Sequence, residues 1–108
     1  SDLASGEPAR AKLMAGRGLE LDDRDARLHN LVGTAELALG DATAAHAAFS
    51  RAAELGHPYA AANRITLLAE VGAESAAREL LEAEDPDDVP DRAVDLHPRA
   101  LTVLQSLR

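Results

Sequence analysis

The stretch "GEPARAKLMAGRGLELDD" from Gly6 to Asp23 is written again, loosely, as "GDATAAHAAFSRAAELGHP" from Gly40 to Pro58, and the copies run in register at an offset of 34 residues. Gly6 pairs with Gly40, Glu7 with Asp41, Ala11 with Ala45, Arg17 with Arg51, Gly18 with Ala52, Glu20 with Glu54 and Leu21 with Leu55. A fixed period of this size constrains the fold more than any single residue does, because each copy buries its apolar face only against a like neighbour. Within the second copy Ala45, Phe49, Ala52 and Leu55 recur at i, i+4, i+7 and i+10, which is one face of a helix.

The same punctuation divides the rest of the chain. The spacing predicts a first helix over about 7–21, with Pro8 in its opening turn, broken by the acidic "LDDRD". A second covers about 25–39 and stops at Gly40; Asp41 caps a third over about 42–55, which ends at "LGHP". A fourth over about 59–71 ends at Gly72, and a fifth over about 74–84 ends at "EDPDDVP". Pro86 to Pro90 reads as a linker. In the closing segment Ala100, Leu101, Leu104 and Leu107 form a helical stripe, with Arg99, Thr102 and Ser106 on its outer face. The expected fold is all-α, a single domain over 1–108 with about six or seven helices. Composition agrees: 46% of residues are hydrophobic, about half of those are alanine, and only 2% are aromatic, namely Phe49 and Tyr59. Small side chains let helices approach closely, whereas sheets favour β-branched and aromatic residues.

A net charge of −8 excludes the clustered basic residues that nucleic acid requires, and disfavours an anionic membrane surface. Ten of the eleven basic residues are Arg, a bias that matches a GC-rich bacterial genome. The absence of Cys removes disulfides, thiolate metal sites and Cys nucleophiles together. No apolar run approaches a membrane span, so membrane insertion is not expected. The expected compartment is the cytoplasm, or the periplasm if the chain is a mature or excised fragment.

Chemistry-bearing motifs are sparse. The histidines are His29, His46, His57 and His97; Glu54 and His57 stand three apart, but no HExxH or His-x3-His spacing occurs, and His57 is explained by a "GHP" turn. The acidic clusters "LDDRD" and "EDPDDVPD" lack the alternating ligands, Gly and distal Glu of a calcium loop, and read as solvated turns. No Ser lies in a Gly-x-Ser-x-Gly turn, Ser50 and Ser75 fall on helices, and no Gly-rich loop follows a strand. Neither a catalytic site, a bound metal nor a cofactor is expected.

Residues 26–58 resemble the tetratricopeptide repeat: "HNLVG" puts Gly33 at the helix-crossing position, Gly40 and Asp41 supply the turn, and Ala45, Phe49 and Ala52 follow at the family's positions. The steric sense is that Gly33, Ala45 and Ala52 let neighbouring helices close up while Phe49 fills the space between them. His29 and Glu36 depart from the pattern, standing where the family has a bulky hydrophobic residue and an aromatic one. "AAELGH" and Asn63 are similar to the related Sel-like repeats. The resemblance implies a right-handed α-solenoid of antiparallel helix pairs: 6–23 the second helix of a truncated repeat, 25–58 a full repeat, 59–85 a degenerate one, and 86–108 a linker and capping helix. It implies a concave groove lined by Arg27, Asn30, Thr34 and Leu37 on one helix and by Asn63, Thr66 and Glu70 on the next. A protein or peptide partner in that groove, held without catalysis, is the expected function. The family's carboxylate-clamping Lys is absent. The alternatives are a structural segment of a longer array or homo-oligomer, joined through the N-terminal helix where Leu13 and Met14 need cover, and a small metal-binding or enzymatic bundle.

Overall fold

A computed structural model describes residues 2–86, 89 and 96–108 of the chain. Its elements are α1 (Asp2–Leu21), α2 (Ala26–Ala38), α3 (Ala42–Glu54), α4 (Ala60–Glu70), α5 (Glu74–Glu84) and α6 (Ala100–Leu107). Among the described residues there is no strand. The boundaries follow the sequence punctuation except at the start, where α1 begins at Asp2 and so carries Pro8 inside it. Within the predicted linker, Asp87, Asp88 and Pro90 lie outside the described residues, as does the start of the closing segment as far as Asp95.

α2, α3 and α4 end in the same turn. Gly40 takes φ 87°, Gly56 φ 91° and Gly72 φ 89°, and a residue with a Cβ would lose about 1–2 kcal/mol there. Each turn lets the next N–H reach back to an orphan carbonyl: Asp41 to Glu36 at 2.9 Å, His57 to Ala52 at 2.9 Å and Ala73 to Leu68 at 2.8 Å. The helix starts use two devices. At α2 and α3 the carboxylates of Asp25 and Asp41 accept from the N–H groups of Leu28 (3.1 Å) and Ala44 (3.0 Å). At α4 and α6 a His-Pro pair does the work. The Nδ1 of His57 accepts from the Tyr59 N–H at 3.2 Å, and that of His97 from the Arg99 N–H at 2.9 Å. In both places the next residue, Ala60 or Ala100, is fully buried.

Packing runs along the chain: α1 on α2, α2 on α3, α3 on α4, α4 on α5, with α6 closing on α4 and α5. α2 and α3 approach closely at Gly33. A Cβ built on Gly33 would lie 2.4 Å from Cε1 of Phe49, whose side chain is fully buried with Ala45 and Leu67. A second core cluster joins α4, α5 and α6 through Ala62, Ile65, Ala77, Leu81, Leu96, Ala100 and Leu104. The Cα radius of gyration, 13.2 Å, is that of a compact chain of this length, for which about 13 Å is usual.

The two departures from the repeat pattern have local partners. Glu36, only 8% exposed, receives the chain's one Lys, with Lys12 Nζ at 3.2 Å from its Oε1. His29 donates from Nε2 to the Asp23 carbonyl at 2.8 Å and so ties the α1–α2 loop to α2.

The Gly33–Phe49 contact makes a sign-reversing expectation. In the native background Gly33→Ala gains about 1 kcal/mol of helix propensity but overpacks the ring at a cost of about 1–3 kcal/mol, so it destabilises. Phe49→Ala alone costs about 3–5 kcal/mol. With Phe49 already truncated, Gly33→Ala becomes neutral or stabilising; urea unfolding of the four proteins in the cycle measures this.

Candidate functional site

The seven residues predicted to line a groove divide into two groups. Arg27 is exposed on α2, Thr34 and Leu37 are half-buried, and Glu70 is exposed near the end of α4. Asn30, Asn63 and Thr66 are fully buried, and this corrects their placement on an open face. Thr66 bonds back to the Ala62 carbonyl at 2.7 Å. The two asparagines form a joint: Asn63 Nδ2 donates to Asn30 Oδ1 at 2.8 Å, and Asn63 Oδ1 accepts the His97 N–H at 2.7 Å. One carboxamide therefore links α2, α4 and the turn into α6, at separations of 33 and 34 residues.

Those separations also explain the misplacement. Gly40 and Gly72, which end α2 and α4, are 32 residues apart, so no single offset carries one helix onto the other. The inward asparagines correspond at 33. The outward positions correspond at 34, which carries Thr34 and Leu37 onto Leu68 and Val71, and Arg64 is the residue next to Asn63. Arg64 and Leu68 are half-buried, and Val71 is 56% exposed. The exact 34-residue period of the opening repeat was the signal for them.

Leu68 and Val71, with Leu67, form one wall of a cleft of about 400 Å³, and Ala42, Thr43 and His46 of α3 form the other. Leu37 sits beside it, packed against the Ala45–Phe49–Leu67 cluster together with Ala42. A polar chain runs along the cleft's edge. Arg64 Nε donates to His46 Nε2 at 3.3 Å, and Arg64 Nη1 lies 3.8 Å from Glu84 Oε1. Burial, with the Arg64 charge added, lowers the His46 pKa, and the neutral ring is the form that accepts from Arg64.

A second cleft, of about 370 Å³, lies between α4 and α6 and includes Glu70, Arg99, Thr102 and Ser106. Its charges are already engaged: Glu70 takes His97 Nε2 at 3.2 Å and Arg99 Nε at 3.4 Å. Because His97 Nδ1 accepts the Arg99 N–H, the proton of the neutral ring sits on Nε2 and points to Glu70. Burial lowers the His97 pKa first; Glu70 opposes the shift and Arg99 adds to it.

Among the described residues no group of three or more His, Asp or Glu side chains is placed to hold a metal ion, and no helix is long and apolar enough to cross a membrane. The chain matches no family model, no curated protein and no solved structure.

Two expectations follow from this geometry. Asn63→Leu takes a partner from Asn30 Oδ1 and from the His97 N–H, and at about 1–3 kcal/mol for each buried group left unsatisfied it destabilises by about 2 kcal/mol or more. Asn30→Leu added to it costs less than the two changes separately, as a double-mutant cycle will read. The histidines set a pH dependence. Both His46 and His97 bind protons more weakly in the folded chain than at the ordinary value of 6.5. The unfolded chain therefore takes up protons first, and stability is full above about pH 6.5 and falls as the pH drops below it. Urea midpoints between pH 7.5 and 5.5 should decline in the native chain and flatten in His46→Gln/His97→Gln.

Proposed function

We propose that the chain is a tetratricopeptide-like interaction module that holds a segment of a protein partner without bond chemistry. On this reading its helices stack as a right-handed α-solenoid of antiparallel pairs, in which α2, α4 and α6 are the first helices of successive units. The repeat at 34 residues, the Gly33–Phe49 crossing and the identical glycine turns support that architecture.

The observation that carries the function is the α3–α4 cleft. Leu67, Leu68 and Val71 give it an apolar wall, Thr43 and His46 a polar one, and Arg64 stands at its edge. A volume of about 400 Å³ suits one or two aliphatic side chains, and pockets that bind ligands run from about 300 to 1,000 Å³. The partner segment would place an aliphatic side chain against Leu68 and Val71 and a hydrogen-bonding or carboxylate group toward His46 and Arg64. Thr34 and Arg27 on α2 extend the same outward register. Burial of the exposed part of Val71 and its neighbours supplies the affinity, at about 25 cal/mol per Å² of apolar surface.

The test is a paired substitution at exposed positions. Val71→Glu or Thr43→Arg is expected to weaken capture of the partner segment by about tenfold or more, since each puts a charge or bulk where apolar surface must be buried. Helical circular dichroism and Tm should stay close to native. Capture that survives both changes overturns the cleft as the site.

A further inference from the structure

α1 carries a second apolar face, none of whose residues belongs to the α3–α4 cleft. Leu13, Met14 and Leu21 are 57%, 58% and 91% exposed. With Arg10 and Arg17 they fall at i, i+3, i+4, i+7 and i+11, a single stripe along the helix. The opposite side of α1 faces the fold: Ala15 is 1% exposed, and a Cβ on Gly18 would lie 2.7 Å from Leu28 Cδ1 of α2. The repeat counterpart of α1 is α3, which packs between α2 and α4, whereas among the described residues α1 packs mainly on α2. Met14 corresponds to Ala48, which is 9% exposed. The position that one copy covers, the other leaves open.

Charge says what fits there. Arg10 and Arg17 make no ion pair among the described residues, in a chain whose net charge is −8. A second copy of α1 is a poor occupant. In an antiparallel pair centred between Leu13 and Met14, Arg10 meets Arg17 and Glu7 meets Glu20. Centred on Arg17, that residue meets its own copy and Arg10 meets Arg24. A parallel pair sets each arginine beside itself. Each of these three arrangements brings like charges together where water is being expelled, which disfavours them for self-pairing. The remaining exposed large hydrophobics, Leu31, Leu39 and Val71, are scattered over α2 and the helix ends, and on the acidic α5 both Leu80 and Leu81 are turned into the core.

We propose that the outer face of α1 docks an amphipathic helix from a partner protein, one with an apolar strip for Leu13, Met14 and Leu21 and carboxylates for Arg10 and Arg17. The apolar strip supplies contact area, and the two arginines set charge preference and orientation.

Two synthetic helical peptides with the same leucine strip, one flanked by Glu and one by Lys, test this by fluorescence anisotropy against the full 108-residue chain. The Glu peptide is expected to bind about tenfold or more tightly than the Lys peptide, with a preference that shrinks as salt is added. Arg10→Glu/Arg17→Glu should reverse the preference, and Leu13→Ser/Met14→Ser should abolish binding of both. Val71→Glu should change neither, which separates this face from the cleft. Equal binding of the two peptides, binding of neither, or a Glu preference that persists in Arg10→Glu/Arg17→Glu overturns the proposal. A dimer in sedimentation that Leu13→Ser/Met14→Ser dissolves overturns it in favour of a second copy.

Discussion

The Asn63 carboxamide is the joint on which the packing of α2, α4 and α6 depends. It donates to Asn30 on α2 and accepts from the backbone of His97 before α6, so it makes specific bonds toward two other parts of the fold from a site with no access to water. The core around it is built largely of alanine: Ala45, Ala52, Ala60, Ala62, Ala77 and Ala100 are fully buried. Small side chains pack well in several registers, since they offer few shapes to interlock. A buried amide pair tolerates one register, because a slip leaves its donors and acceptors without partners. Alanine brings the helices close, and the asparagines decide where along their length they meet. Gly33 does the corresponding work between α2 and α3, where the Phe49 ring occupies the place of its missing side chain.

Local chemistry made the helices readable from the sequence, and tertiary register hid the side-chain roles. Gly40, Gly56 and Gly72 end helices because of their own backbone freedom, and Asp41 caps α3 through a residue three positions away. None of that needs the rest of the fold. Whether Asn30 and Asn63 face solvent or each other depends on the offset between α2 and α4, and a 32-residue spacing of the turns within a 34-residue pattern leaves that open to one residue. One residue is about 100° around a helix, enough to turn Asn63 and Thr66 inward and Arg64 and Val71 outward. Of the predicted site, Arg27, Thr34, Leu37 and Glu70 remain at least partly open. The His-Pro cap at His97 repeats the one at His57.

Charge is distributed so that the joints are neutral and the faces are not. An ion pair at the Asn63 position would have to repay the desolvation of two charges within a chain that already carries an excess of acid. The carboxamides avoid that cost, and the Nδ1 atoms of His57 and His97 accept from N–H groups at helix starts. Arg78–Glu74 and Arg99–Glu70 lie nearer the surface, where each contributes about 0–1 kcal/mol, while Lys12–Glu36 and Arg64–Glu84 are more covered. Exposed ion pairs therefore do little to hold the helices together.

That division leaves charge free to discriminate among partners. In a fold held by small apolar contacts and uncharged hydrogen bonds, changing an exposed Arg alters what docks without altering what folds. Arg10 and Arg17 have no carboxylate to neutralise among the described residues, while Arg64 is shared between His46 and Glu84 at the rim of the cleft. The two open faces thus differ in kind. At the cleft an incoming group must compete with pairs already formed, which favours a snug aliphatic fit over charge. On α1 the arginines have no carboxylate partner among the described residues and flank exposed leucine and methionine, so for the docking proposed there the sign of a partner's charge sets the preference.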